Sequence, residues 1–333
     1  MPIRYGPGTG EDISLARRQL AGHVAETGLR TSPVLSRRHG QTVGLKLENR
    51  QLTGSFKIRG ATCAILRLDA EQRQRGVVTA STGNHGRALA HAARGQGVRA
   101  VVCLSGLVPA NKVEAVRALG ADVRIVGRSQ DEAMEEVARL ARDEGLTPVP
   151  PFDHPDVIAG QGTAGLEIVE AMPDVATVLV PLSGGGLAAG VAAAVRFRRP
   201  EARVIGVSMR RGAAMHASLA AGHPVEVLEE ETLADSLGGG IGLDNRYTFA
   251  LCRDLLDDVV LVDEDEIASG IRHAFREEGE TVEGAGAVGI AALLAGKVRP
   301  AGPTAVLLSG ANIDAALHRA INGADGSGGG GNG

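Results

Sequence analysis

A chain of 333 residues, 44% hydrophobic and 22% charged, is long enough to bury two substantial cores and has the composition of a globular protein. Aromatic residues make up only 2%, which demands an aliphatic, alanine-rich core and excludes a stacking platform for single-stranded nucleic acid; a net charge of −4 without basic runs gives no polyanion partner. Cys63, Cys103 and Cys252 are widely spaced in apolar contexts, the pattern of buried thiols in a reducing compartment, and with no signal pattern or long apolar span the expected location is the cytoplasm, with no membrane partner.

In chain order, a polar, glycine-rich stretch (1–12) precedes an amphipathic helix expected over 13–26, and a loop at 31–35 leads to a strand at 43–47. A turn at Leu52-Thr53-Gly54 follows, then a helix through Ala61, Ile65 and Leu68. From Gly76 the pattern is regular: strands at 77–79, 98–104 and 122–126 alternate with helices at 83–96, 110–119 and 129–144. Such alternation predicts a parallel-sheet unit with right-handed crossovers, a small domain over 71–147. Pro148, Pro150, Pro151 and Pro155 mark a return crossing. Beyond it, a helix at 164–171, apolar strands at 177–182, 204–207, 259–262 and 305–308, and helices at 266–278 and 288–294 predict a larger doubly wound sheet. That sheet also recruits the first seventy residues, giving a large domain of 1–70 plus 148–323. The Gly/Ser/Asn-rich residues 324–333 are expected to form a disordered tail.

The stretch Gly54-Ser55-Phe56-Lys57-Ile58-Arg59-Gly60 places one lysine among small and apolar neighbours at the head of a helix. Desolvation and a helix N-terminus both disfavour the ammonium form, so Lys57 is a candidate Schiff-base former or proton shuttle. Strand, turn, helix puts it at the carboxyl edge of a sheet, where open α/β sheets bind ligands.

Three further turns lie at such edges. Ser183-Gly184-Gly185-Gly186-Leu187 joins an apolar strand to an alanine-rich helix, and consecutive glycines let successive backbone N–H groups point into one concavity suited to a phosphate. Its spacing is not that of a dinucleotide-binding turn. Ser81-Thr82-Gly83-Asn84-His85-Gly86 offers two hydroxyls and helix-start amides to a carboxylate, with Asn84 able to donate to a ring oxygen; Ser81 or Thr82 is expected to cap the helix, and His85 has no triad partner at a telling spacing. Ser309, in Leu308-Ser309-Gly310-Ala311-Asn312, is either a hydrogen-bond partner for a ring nitrogen or one more N-cap. Glu283 is either a surface acid or a group near the same ring.

Together these stretches, with Ile158-Ala159-Gly160-Gln161-Gly162-Thr163, resemble the fold type II pyridoxal-phosphate enzymes, more closely the serine/threonine dehydratase and serine racemase branch, over residues 13–322. The stretch from Gly239 to Tyr247 resembles the hydroxyectoine-utilisation dehydratases within it. The resemblance implies an α/β fold of two domains, each with a mostly parallel sheet flanked by helices, and a homodimer. It implies pyridoxal 5'-phosphate held covalently by Lys57, with Phe56 beside the ring, Asn84 on the ring hydroxyl, Gly184, Gly185, Gly186 and Leu187 around the phosphate and Ser309 at the pyridine nitrogen. Ser81, Thr82, Gly83 and His85 would receive the carboxylate of a small amino-acid substrate. No metal site is expected, since Ser208 and Ala214 stand where some relatives carry acids. Thr82 stands where racemases carry a serine as second proton donor, and Ser236 replaces a glycine common near the substrate. The implied reaction is loss of water from a 3-hydroxy-2-amino acid, with Lys57 as the base. The rivals are a racemase or epimerase of the same family and a nucleotide-dependent oxidoreductase.

Overall fold

In the computed structural model the described residues are 8–81, 83–108 and 110–323; the expected tail at 324–333 lies outside them. Among the described residues ten strands are present: β1 (Leu29–Thr31), β2 (Val43–Lys46), β3 (Val77–Ala80), β4 (Ala100–Leu104), β5 (Asp122–Ile125), β6 (Thr147–Pro148), β7 (Thr177–Pro181), β8 (Arg203–Met209), β9 (Asp258–Val262) and β10 (Thr304–Leu307). They form a six-stranded sheet in the order β1-β2-β10-β7-β8-β9 and a four-stranded sheet in the order β5-β4-β3-β6. Every pairing is parallel except β1 with β2, so the expected α/β class with two parallel sheets flanked by helices is realised. Strand β7, Thr-Val-Leu-Val-Pro, is buried at every position, as a strand covered by helices on both faces must be.

The carboxyl ends of β7 and β10 lead directly into the Gly184 turn and the Ser309 turn, and β2 reaches the lysine turn through a short 3-10 helix, Glu48–Arg50. In register, Leu45 sits beside Val306, and Val306 beside Leu179, so these three ends lie side by side. The helix Lys57–Leu66 leaves the large sheet and packs Ile58, Ala61 and Ile65 into the core of the small one, against Val77, Leu89 and Val102. Its first residue therefore sits where the two sheets' helical layers meet. The three thiols are buried and unpaired, as expected.

Several elements differ from expectation. Residues 33–39 are a helix, not loop: the Ser32 hydroxyl accepts from the Leu35 amide at 3.0 Å, Pro33 occupies the first turn and Gly40 ends it at φ 67°. The helix expected from residue 164 begins nine residues earlier, as Pro155–Ala171, because Pro155 starts it and its glycines are contact points: a Cβ at Gly160 would come 2.5 Å from the Arg59 carbonyl, and one at Gly162 2.8 Å from that of Gly190. The first helix runs Gly10–Leu20, ending earlier than expected.

Candidate active site

Lys57 Nζ donates a hydrogen bond to the Pro151 carbonyl at 2.8 Å and lies 5.2 Å from the centre of the Phe56 ring. Burial pushes the amine down to about 8, with the Glu283 carboxylate opposing the shift. The side chain keeps some accessible surface; the desolvation comes from protein packed around it. An ordinary surface lysine is protonated near pH 8, whereas this one is divided between ammonium and free amine.

Pro151 connects this amine to the glycine turn. The ring of Phe152 lies against it, such that a Cβ at Gly184 would come 2.4 Å from the ring, and one at Gly186 2.9 Å from the Phe152 backbone. Gly185 has φ 89°, a left-handed conformation, and a Cβ there would meet Met215 at 2.8 Å and Cys252 at 2.9 Å. Gly186 and Leu187 open the helix Gly186–Arg198, whose start has no side-chain cap. Its first N–H groups lack acceptors within the helix, a need that an anion can meet.

The second turn differs from expectation in its cap. Gly83 is the N-cap residue of the helix Asn84–Gly95 and, among the described residues, no side chain caps it, so the cap expected of Ser81 or Thr82 is not supplied by Ser81. The Ser81 carbonyl instead closes over Gly86, where a Cβ would come 2.3 Å from it. Thr82 lies outside the described residues. The uncapped start leaves amides near Ser81 and Gly83 for a carboxylate. His85 is buried with Nε2 donating to the Val149 carbonyl at 2.8 Å. Burial, and next the charge of Lys57, push it down to about 3, so it stays neutral and favours the structural reading over proton transfer.

Asn84 donates from Nδ2 to Glu283 Oε1 at 2.7 Å. Glu283 is buried and its amide bonds to the Gly310 carbonyl at 3.0 Å, which excludes the surface-acid alternative. The third turn is stitched to the lysine turn: the Phe56 amide donates to Ser309 O at 3.0 Å, the Ala311 amide to Gly54 O at 2.8 Å, and Ser55 bridges Gly310. The N-cap alternative for Ser309 fails, because the next helix starts at Ala315 and Asp314 accepts the amides of Ala316 and Leu317.

Pro151, Phe152, Asp153 and Asn312 join the site without having been expected there. Asp153 accepts the amides of Arg246, Tyr247 and Thr248 at 2.7, 2.9 and 2.9 Å, tying the end of the Gly239 to Tyr247 stretch to the Phe152 loop. Only the Phe-Asp pair after three prolines hinted at this loop, and nothing local announces its partners.

An enclosed amine of lowered basicity, a glycine cradle that admits no Cβ, an uncapped helix start, the buried Ser309 hydroxyl and a buried Ser55 hydroxyl without a partner fit an aldehyde cofactor bearing a phosphate. Known proteins of similar sequence and fold agree. The chain belongs to the pyridoxal-phosphate dependent enzyme family, whose model matches residues 20–310, and it depends on that cofactor. It is 64% identical over 312 residues, 93% of this chain and 94% of the relative, to a Sinorhizobium fredii protein provisionally called a threonine dehydratase. It is 43% identical to the L-threonine ammonia-lyase of Thermotoga maritima, covering 94% of this chain and 78% of that one. Among solved structures, maize serine racemase superposes with a TM-score of 0.88 at 32% identity, over 93% of this chain and 95% of that one. The fold is that of the fold type II enzymes. Since a methyl at Gly184 must displace the Phe152 ring, Gly184→Ala is expected to weaken cofactor binding by about tenfold or more, measured by equilibrium dialysis.

Proposed function

We propose that this chain is a dehydratase of the threonine/serine type that eliminates water from a 3-hydroxy-2-amino acid to give a 2-oxo acid and ammonia. The carrying observation is the enclosed Lys57 amine, lowered to about 8 and joined through Pro151 and Phe152 to the glycine cradle. Relatives bearing the names of threonine dehydratase and L-threonine ammonia-lyase across nine-tenths of the chain support it. The bound cofactor supplies the electron sink for the pair left on the substrate α-carbon. Lys57 Nζ, as free amine, takes the α-proton. The amides of Gly184, Gly185, Gly186 and Leu187 hold the phosphate, Phe56 lies beside the ring, and the neutral hydroxyl of Ser309 meets the ring nitrogen without forcing it to carry a proton. Asn84 directs an N–H to the ring oxygen, held by Glu283. Ser81, Thr82, Gly83 and His85 form the loop that receives the substrate carboxylate. The β-hydroxyl leaves with a proton as water, balancing the α-proton that Lys57 has taken, and the released enamine takes up water to give the 2-oxo acid and ammonia.

In finer detail, we propose a cytoplasmic homodimer, with a small substrate-loop domain over 71–147 on a large domain of 1–70 and 148–323, and a hydroxydiaminobutyrate derived from hydroxyectoine as substrate. For the last, the support is the Gly239 to Tyr247 stretch, whose end Asp153 ties to the site. Family membership sets aside the nucleotide-dependent oxidoreductase. The test is to incubate the purified protein with serine, threonine and 3-hydroxy-2,4-diaminobutyrate, and to follow ammonia, 2-oxo acid and the chirality of residual substrate. Expected are ammonia and a 2-oxo acid in equal amounts, and a hydride-trapped adduct on the Lys57 peptide. Formation of the opposite enantiomer as main product would make it a racemase, the activity named for the maize structure. A colourless protein without an adduct would overturn both.

A further inference from the structure

Asparagine has two faces, one donating and one accepting, and a bond to a group of fixed polarity decides which is which. A chain of such bonds starts at the main-chain carbonyl of Thr53, which can only accept. Asn312 Nδ2 donates to it at 3.1 Å, and the same nitrogen donates its other hydrogen to Asn84 Oδ1. The Asn312 oxygen is turned to Gly54, where a Cβ would come 2.6 Å from it; Gly54 has φ 77°, so the lysine turn itself makes room for this side chain. Asn84 must then present its oxygen to Asn312 and its Nδ2 to Glu283, at 2.7 Å. One Nδ2 hydrogen is engaged by Glu283, and the second is left to donate.

We infer that Asn312 is a positioning residue: it sets the direction of the Asn84 amide, and thereby presents an N–H, not an oxygen, to the cofactor's ring oxygen. The inference rests on the reading that Asn84 contacts that oxygen. Glu283 alone does not secure the same outcome, since a carboxylate that gains a proton can donate to an amide oxygen, whereas a peptide carbonyl keeps one polarity. The relay also joins Thr53, before the lysine helix, to the start of the helix Asn84–Gly95, which flanks the other sheet. An amide set in this way holds the electron density at the ring oxygen constant, which a visible absorption band of the bound cofactor reports.

The test is the near-isosteric Asn312→Asp, in which a carboxylate facing Asn84 can only accept and draws the Asn84 amide over. The expected result is a shifted visible band of the holoenzyme and cofactor dissociation faster by about tenfold, with Asn312→Ala intermediate. Thermal melting of the cofactor-free variants separates a packing defect, which lowers the midpoint without moving the band. A band and dissociation rate in both variants equal to those of the unaltered holoenzyme would overturn the inference and leave the dehydratase reading intact. An unaltered protein with no visible band that hydride removes would instead sink the reading on which the inference rests.

Discussion

Lys57→Ala is expected to lower 2-oxo acid formation by roughly 10³-fold or more, since one substitution removes both the covalent anchor of the cofactor and the base for the α-proton. Cofactor still binds weakly to the variant through the glycine turn, so added primary amine should restore part of the activity, whereas added cofactor alone should not. The same lysine sets a pH signature in the cofactor-free protein. Its amine is lowered from an ordinary 10.5 to about 8, so between those values the unfolded chain binds more protons than the native one, and stability rises with pH through that window. Below about pH 8 both states are protonated and the cost of enclosing an ammonium is present in full. Lys57→Met should therefore melt higher than the parent at pH 7 and lose the rise between about pH 8 and 10.5, as read by calorimetry of both proteins without cofactor. A parent and variant with parallel stability curves would show that the amine is not desolvated.

The features legible in the sequence and those that are not divide along physical lines. The lysine turn, the Gly184 turn and the Ser309 turn announce themselves because each is a local device: a short apolar strand, glycines or hydroxyls, then a helical period. Their convergence follows from topology, since parallel strands end on the same side of a sheet. Ser32-Pro33 carried both a cap and a first-turn proline, so the helix Pro33–His39 was legible in principle and was outweighed by the loop composition around it. The helix Pro155–Ala171 was obscured because its glycines resemble turn residues, yet they serve the close approach of Gly60 and Gly190. Glu283 could not be decided locally: the amide that bonds its carboxylate belongs to Asn84, 199 residues away in sequence. Pro151 and Asn312 are of the same kind, for a main-chain carbonyl and an asparagine carry no mark until the fold brings Lys57 and Asn84 to them.

The second large effect is expected at a cluster of four buried charges beneath the lysine helix. Arg59, two residues after Lys57, donates to Glu48 from Nε and Nη2, each at 2.8 Å, and to Glu167 from Nη1 at 2.6 Å and Nη2 at 2.7 Å. Lys46 Nζ donates to Glu167 and lies 3.7 Å from Glu48, while Thr163 accepts from Arg59 at 3.0 Å and Thr27 donates to Glu48. Two cations face two anions, so the cluster is neutral, and its members come from β2, the segment after it, the lysine helix and the helix Pro155–Ala171. Burial raises Glu48, but the charge and hydrogen bonds of Arg59 outweigh it and leave the carboxyl below its ordinary value. Removing one member strands an opposite charge out of water, and Arg59→Met should cost about 3–5 kcal/mol, read by urea unfolding. Pairing it with Glu48→Gln should recover part of that loss, because the partner is then neutral too; a double variant as unstable as the sum of the singles would mean the charges do not interact. A carboxyl of lowered pKa contributes stability above its unfolded value that is lost as pH falls, so the parent should lose stability below about pH 4.5 more steeply than the double variant. Since the helix that carries Arg59 begins at Lys57, this cluster also fixes where the reactive amine stands. Arg59→Met molecules that remain folded should accordingly retain less trapped cofactor on Lys57 than Arg67→Met molecules, whose guanidinium pairs with Asp12 and Asp156 beyond the far end of the same helix.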